Sequence, residues 1–291
     1  MPGIYQNYLK NPYSQCCSAL YQLREDIKIR CSLVSAIIYH ENINLLYAIY
    51  YQIQFCLNAN RYNLNPQNIP YAAKGSKTAK VLLLIPGQGA SVAQYGFLTK
   101  KLKDISDIHL FSAKDSYIKN DPIPTRDLQD RMEKIAKLFL DKNYESVEFS
   151  LIGHSLGGIR AFQLALDPFL KDPRIKLVHL ITLASRLSYT KPRQIYDDLM
   201  CKDQQKKINA NLFRFVQQRY EKNGSVTKVH TLSAGKNDWL LDPEDSYIPI
   251  EVRRIDEKCL TFPQTCHLSI LFSSQAVNAT VDIIRKWKQQ I

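Results

Sequence analysis

No stretch of this 291-residue chain reaches the roughly 18 consecutive apolar residues that a membrane-spanning helix requires. The nearest approach, Cys31 to Leu57, is broken by His40, Glu41, Asn42 and Asn44. The first residues, Met1 to Leu9, carry no basic segment leading into an apolar core, so a secretory signal is not expected. The expected location is cytoplasmic, or peripheral at a membrane surface. Paired cysteine spacing is missing too: the seven cysteines form no CxxC and no Cys/His cluster of zinc-binding spacing. They read as buried thiols in a reducing compartment, and no metal or organic cofactor is called for. Only 10 glycines and 13 prolines occur, which excludes a collagenous or low-complexity chain. Acidic residues are in the minority, 27 against 39 Lys and Arg, and the resulting charge of +12 favours anionic partners. The basic residues are dispersed and no nucleic-acid motif accompanies them, so nucleic acid is an unlikely partner.

What is present reads as one large domain with appended elements. From Ser14 to about Leu57, apolar residues recur every three or four positions (Leu20, Leu23, Ile27, Cys31, Val34, Ile38, then Leu45, Ile49, Ile53), which predicts helix. A Pro- and Asn-rich stretch to Thr78 reads as a linker, giving a helical N-terminal extension over 1–78. From residue 79 onward the pattern changes. Short apolar runs at Val81 to Ile85, Ile108 to Phe111, Val147 to Ile152, Leu177 to Leu183 and Val229 to Leu232 alternate with helical patterns. These are Ala93 to Leu102, Arg126 to Asp141, Gly158 to Leu166 and a final helix from about Leu268 to Gln289. Such alternation predicts an α/β domain with a mostly parallel central sheet and helices on both faces. A charged segment of about 190–225 interrupts it and reads as a helical cap insertion.

The chemistry-bearing motif is Gly153-His154-Ser155-Leu156-Gly157-Gly158, a G-x-S-x-G spacing between an apolar strand and a helix. In that context it predicts a nucleophile elbow with Ser155 at its apex and small residues required at Gly153 and Gly157. No catalytic role is expected for His154. A serine nucleophile needs two convergent N–H donors for the oxyanion. Leu156 supplies one; Gln88, with Gly87 or Gly89 as alternatives, lies in the loop after the first strand where the second is expected. Acid and base must follow in that order. Asp238 lies just past the strand ending at Leu232, with Asp242 and Asp245 as rivals; His267, in a loop before the last helix, is preferred to His230, which falls inside a strand.

These segments resemble the α/β-hydrolase superfamily of serine esterases and lipases, and more narrowly the lipase-like GPI-inositol deacylase group. The similarity rests on Ile85 to Gln88, Gly153 to Gly158, Ser233 to Trp239 and His267 to Ile270. It covers Lys80 to Ile291 and implies an α/β-hydrolase fold and a serine hydrolase of acyl esters, with a lipid bearing an anionic head as one substrate. It departs from that group in having Cys266, rather than an acidic residue, before the histidine. Two alternatives follow from the residues, an acyl thioesterase and a hydrolase fold retained as a membrane- or partner-binding module, and the basic residues of the cap are candidates for peripheral contact with an anionic membrane.

Overall fold

The computed structural model describes Cys31 and residues 77–87, 90, 92–102, 105, 108–112, 125–166, 172–188, 202–221 and 227–289. The expected N-terminal helices and their linker fall outside the described residues, apart from Cys31, which is helical, and the end of the linker, where the first strand begins.

Among the described residues, six strands form one parallel sheet: β1 (Thr78–Ile85), β2 (Ile108–Ser112), β3 (Ser146–His154), β4 (Ile175–Leu183), β5 (Lys228–Ala234) and β6 (Cys259–Phe262), in the spatial order β2-β1-β3-β4-β5-β6. The helices are α1 (Gly96–Leu102), α2 (Thr125–Leu140), α3 (Leu156–Leu166), α4 (Lys202–Tyr220) and α5 (Ser274–Gln289). The apolar runs become strands because both faces are covered. Val81, Leu83 and Ile85 of β1 join the core with α2 and α3, while Leu82 and Leu84 join the core with α1 and α5. Helix α2 buries Leu128, Met132, Ile135, Ala136 and Phe139, a stripe of three- and four-residue steps that matches the helical repeat. Helix α5 buries Val277, Val281, Ile284 and Trp287 in the same way, and Lys80 caps its C-terminal end by donating from Nζ to the Trp287 carbonyl at 2.8 Å.

The strand order reverses between β1 and β3. The chain leaves β1 toward β2 on one side and returns past β1 to lay down β3 on the other. In parallel sheets the crevice beyond the carboxyl ends of the strands at such a reversal is where ligands bind. The loop after β1 and the turn after β3 flank that crevice, and the loops after β5 and β6 open on the same edge.

The charged 190–225 segment contains one described helix, α4. It runs between β4 and β5 and lies along α3: Phe215 packs on Phe162 with ring centroids 5.2 Å apart, and Gln218 Nε2 donates to the Leu166 carbonyl at 3.1 Å. Its last turn is tied down by Arg219, which donates to Glu257 Oε1 at 2.7 Å and to the Thr227 carbonyl at 2.8 Å. Glu257 in turn accepts from the Val229 and Arg254 amides at 2.7 and 3.0 Å, so both oxygens of this buried carboxylate are hydrogen-bonded.

Candidate active site

Strand β3 ends at His154, Ser155 turns the chain, and α3 begins at Leu156. Ser155 has φ 54°, in the left-handed region that costs a residue with a Cβ about 1–2 kcal/mol. Close packing holds it there. The Ser155 amide donates to the Leu183 carbonyl of β4 at 3.0 Å, and the Ser155 carbonyl accepts from Gly158 N–H at 3.0 Å to start the helix. A Cβ on Gly157 would lie 2.3 Å from the Ile85 carbonyl oxygen, and one on Gly153 would lie 2.5 Å from the backbone of Gly158. The two glycines therefore let the start of α3 press against the ends of β1 and β3. Tyr95, buried in the 3-10 turn before α1, locks the same junction by donating its hydroxyl to the Ile85 carbonyl at 2.7 Å. Leu156 opens α3, so its N–H is among the first four of the helix, which have no partner within it. Gln88 and Gly89 lie outside the described residues, and Gly87 faces the elbow, with its built Cβ position 3.2 Å from Ser155 Cβ.

The loops after β5 and β6 bring an acid and a histidine together. They are stitched by Gly235 N–H donating to the Thr265 carbonyl at 2.8 Å. His267 Nδ1–H then donates to Asp238 Oδ2 at 3.1 Å, with both side chains almost completely buried. The other carboxylate oxygen of Asp238 accepts from the Leu240 and Leu241 amides at 2.8 and 3.0 Å, which fixes the direction of the group. Since Nδ1 is committed to the carboxylate, Nε2 is the ring atom left for chemistry, and this buried nitrogen has no hydrogen-bond partner among the described residues. Trp239 covers the ring edge-on at a centroid distance of 5.6 Å, and it belongs to a buried apolar cluster with Ile159, Ile208, Leu240 and Leu241, against which Leu156 packs. The imidazole thus sits between an anion and an apolar wall, where a charge that forms on it is stabilised by a partner that water does not screen.

The link from this pair to the serine is His154. Its ring lies 5.0 Å from that of His267, and its Nε2 hydrogen-bonds the His267 main-chain carbonyl at 2.8 Å. The two rival acids have other engagements. Asp245 is buried and paired with Arg186 at 3.4 Å, while Asp242 contributes its carbonyl to the 3-10 turn of Pro243–Ser246. His230 lies within β5, where Nδ1 accepts from Lys258 N–H at 3.0 Å and the opposite nitrogen meets His179 Nδ1 at 3.1 Å. Burial pushes the pKa of His230 down to about 3 and that of His179 down to about 4. Sequence reasoning did not find the Arg186–Asp245 pair, the Tyr95 lock or the His154 contact. The first and last join residues 59 and 113 positions apart, and the Tyr95 bond crosses a loop of ten, so no local spacing marks them.

No known protein family and no curated protein matches the chain. Solved structures do. The chain is similar to an esterase from Pyrobaculum calidifontis, with a TM-score of 0.52 at 11% identity over 84% of this chain and 91% of the other. The chain has the α/β-hydrolase fold. A second similar structure comes from work on the metagenome-derived lipolytic enzymes LipS and LipT, with a TM-score of 0.50 at 12% identity over 74% of this chain and 96% of that one. Within the α/β-hydrolase fold, the elbow at Ser155 and the loops carrying Asp238 and His267 occupy the carboxyl ends of β3, β5 and β6. Among the described residues no helix is long and apolar enough to cross a membrane, and no group of three or more His, Cys, Asp or Glu side chains is arranged to hold a metal ion.

Proposed function

We propose that the protein is a serine hydrolase of carboxylic esters, with Ser155 as nucleophile, His267 as general base and acid, and Asp238 as the group that orients His267. The observation that carries this reading is the buried Asp238–His267 pair, whose 3.1 Å hydrogen bond leaves Nε2 of the ring unpartnered, at the same edge of the sheet as a serine held at φ 54°. His267 Nε2 takes the Ser155 hydroxyl proton as Oγ attacks the acyl carbonyl carbon. The tetrahedral oxyanion is held by Leu156 N–H and a donor of the Gly87–Gln88 loop. On collapse the C–O bond to the alcohol breaks, and the leaving oxygen takes the proton from His267. Water, deprotonated by the same nitrogen, then releases the acid from the acyl-serine and restores the hydroxyl.

The finer reading is a lipid acyl ester as substrate, supported by the resemblance to the GPI-inositol deacylase group and by the esterase and lipolytic neighbours of the fold. Exposed Lys206, Lys207 and Phe213 on α4, together with the net charge of +12, support docking at an anionic membrane surface. A fluorophosphonate probe tests the chemistry. It should label the wild-type protein and leave Ser155→Ala unlabelled; labelling that survives the substitution overturns the assignment. A panel of p-nitrophenyl esters, phospholipid vesicles and acyl thioesters, each run beside Ser155→Ala, then ranks the substrate classes. Activity on anionic vesicles should fall as salt rises, whereas equal activity on neutral and anionic vesicles overturns the docking.

A further inference from the structure

His154 stands one residue before the serine, at the last position of β3, and its ring is 2% exposed. A carbonyl oxygen only accepts, so the 2.8 Å contact between Nε2 and the His267 carbonyl fixes the tautomer: Nε2 carries the proton and donates it. The remaining ring nitrogen, Nδ1, is buried without a hydrogen-bond partner among the described residues, on the side of Gly87. Burial, reinforced by the neighbouring His267, pushes the His154 pKa down to about 3, so the ring is neutral wherever an ester hydrolase of this design works.

A core histidine that only filled space would be replaceable by an apolar side chain of similar size, with no buried lone pair to leave unsatisfied. What a hydrocarbon lacks is the donated hydrogen bond. Its acceptor belongs to the backbone of His267, the residue whose ring Asp238 holds from the other side. The 3-10 turn that follows (Ser269–Leu271) bonds past this carbonyl, with Ile270 N–H donating to the Cys266 carbonyl at 3.3 Å and Leu271 N–H to the Leu268 carbonyl at 3.0 Å, and so leaves the His267 carbonyl to His154.

Resting on the serine-hydrolase reading, we infer that His154 is a positioning residue: through the His267 carbonyl it fixes the distance between the nucleophile strand and the base, while Asp238 fixes only the ring. Two clamps act on one residue. The carboxylate sets the tautomer and rotation of the imidazole, and the His154 N–H sets where its backbone stands relative to Ser155. Misplacement on the scale of 1 Å in such a pair costs about a hundredfold in rate.

The experiment compares H154Q, whose amide N–H reaches to a similar length, with H154M, which has a similar shape and no donor. Both are assayed on a soluble p-nitrophenyl ester, alongside wild type and Ser155→Ala. The expected result is a kcat for H154M lower by about ten- to a hundredfold with KM within about twofold, and a kcat for H154Q recovered to within a few-fold of wild type. H154L provides the same comparison should H154M not fold, and far-UV circular dichroism establishes that each variant is folded. Equal kcat for the donor and donor-less variants, whether both are high or both low, overturns the inference. So does a loss confined to KM. Failure of the underlying reading is visible separately, as turnover by Ser155→Ala equal to that of wild type.

Discussion

Asp238 does two jobs with two oxygens, and substitution can separate them. Oδ2 accepts from His267 at 3.1 Å, while Oδ1 accepts from the Leu240 and Leu241 amides at 2.8 and 3.0 Å. In Asp238→Asn the amide oxygen can keep the two backbone donors, so the loop stays closed and stability falls by no more than about 1 kcal/mol, the scale of one ordinary hydrogen bond. The amide nitrogen then faces His267 Nδ1 and donates where the carboxylate accepted. Nδ1 must give up its proton, Nε2 becomes protonated, and the base is lost. The expected cost is about 10³–10⁴ in kcat, the scale seen when the equivalent tautomer is inverted in serine proteases.

Asp238→Ala removes both functions. The Leu240 and Leu241 residues are buried, and each orphaned amide costs about 1–3 kcal/mol, so the substitution costs about 2–6 kcal/mol against the 5–15 kcal/mol of a typical domain. Urea unfolding and p-nitrophenyl ester turnover measured on the same preparations distinguish the jobs. Asp238→Asn should unfold near the wild-type midpoint while nearly inactive, and Asp238→Ala should be both inactive and clearly less stable. Wild-type kcat in Asp238→Asn would refute the orienting role, and equal stability of the two variants would refute the anchoring of the loop.

Gly157→Ala sets a methyl group 2.3 Å from the Ile85 carbonyl oxygen and 2.5 Å from that of Pro86, both backbone atoms that cannot rotate away. It should cost about 1–3 kcal/mol and slow fluorophosphonate labelling of Ser155 by at least tenfold; a wild-type melting temperature would refute the contact. Acid should destabilise the fold through its buried neutral histidines. Burial holds the folded pKa values of His179 and His230 near 4 and 3, below the unfolded value of about 6.5, so between those limits the unfolded chain binds more protons. The stability these rings contribute is complete above about pH 6.5 and drains as pH falls, by about 2 kcal/mol per ring from pH 7 to pH 5. A urea midpoint that is flat over that range would contradict this.

The elbow was legible because everything that defines it is local. An apolar run, small residues two positions either side of a serine, and an immediate helix occur within thirteen residues, Ser146 to Gly158, and the close approaches at Gly153 and Gly157 give the physical reason for the spacing. Strands buried on both faces were legible for the same reason. β6 escaped because it is a four-residue edge strand, Cys259–Phe262, with only Phe262 buried; its pairing with β5 decides its state, not its composition. The last helix begins at Ser274 rather than Leu268, since a 3-10 turn spans the intervening residues and carries the chain away from His267. Among Asp238, Asp242 and Asp245, position alone could not decide. What bears on the choice is Arg186, fifty-nine residues before Asp245 in the chain, whose guanidinium takes that carboxylate. Helix α4, within the segment read as a charged cap insertion, contains Arg219, whose side chain is 4% exposed, because a buried Glu257 from the loop before β6 meets it. Opposite charges brought together by tertiary packing leave no trace in a one-dimensional pattern.

The costs that converge at the end of β3 bear on whether this α/β-hydrolase fold works as an enzyme or serves as a binding scaffold. Ser155 bears the strain of φ 54°, about 1–2 kcal/mol, that a glycine there would relieve. His267 Nε2 and His154 Nδ1 are buried without partners among the described residues, each at the expense of a lost hydrogen bond with water. Asp238 is a carboxylate taken out of water to face an imidazole, a loss its two amide bonds offset only in part. A scaffold used only to bind has no need of the strain or of the unpartnered ring nitrogens, and a glycine at position 155 would relieve the first of these. They become useful together only when a proton must leave Ser155 Oγ for an imidazole that is already aimed, desolvated and backed by a negative charge. Strain stored at a half-buried serine, beside buried ring nitrogens left without partners among the described residues, supports the proposal of chemistry at Ser155.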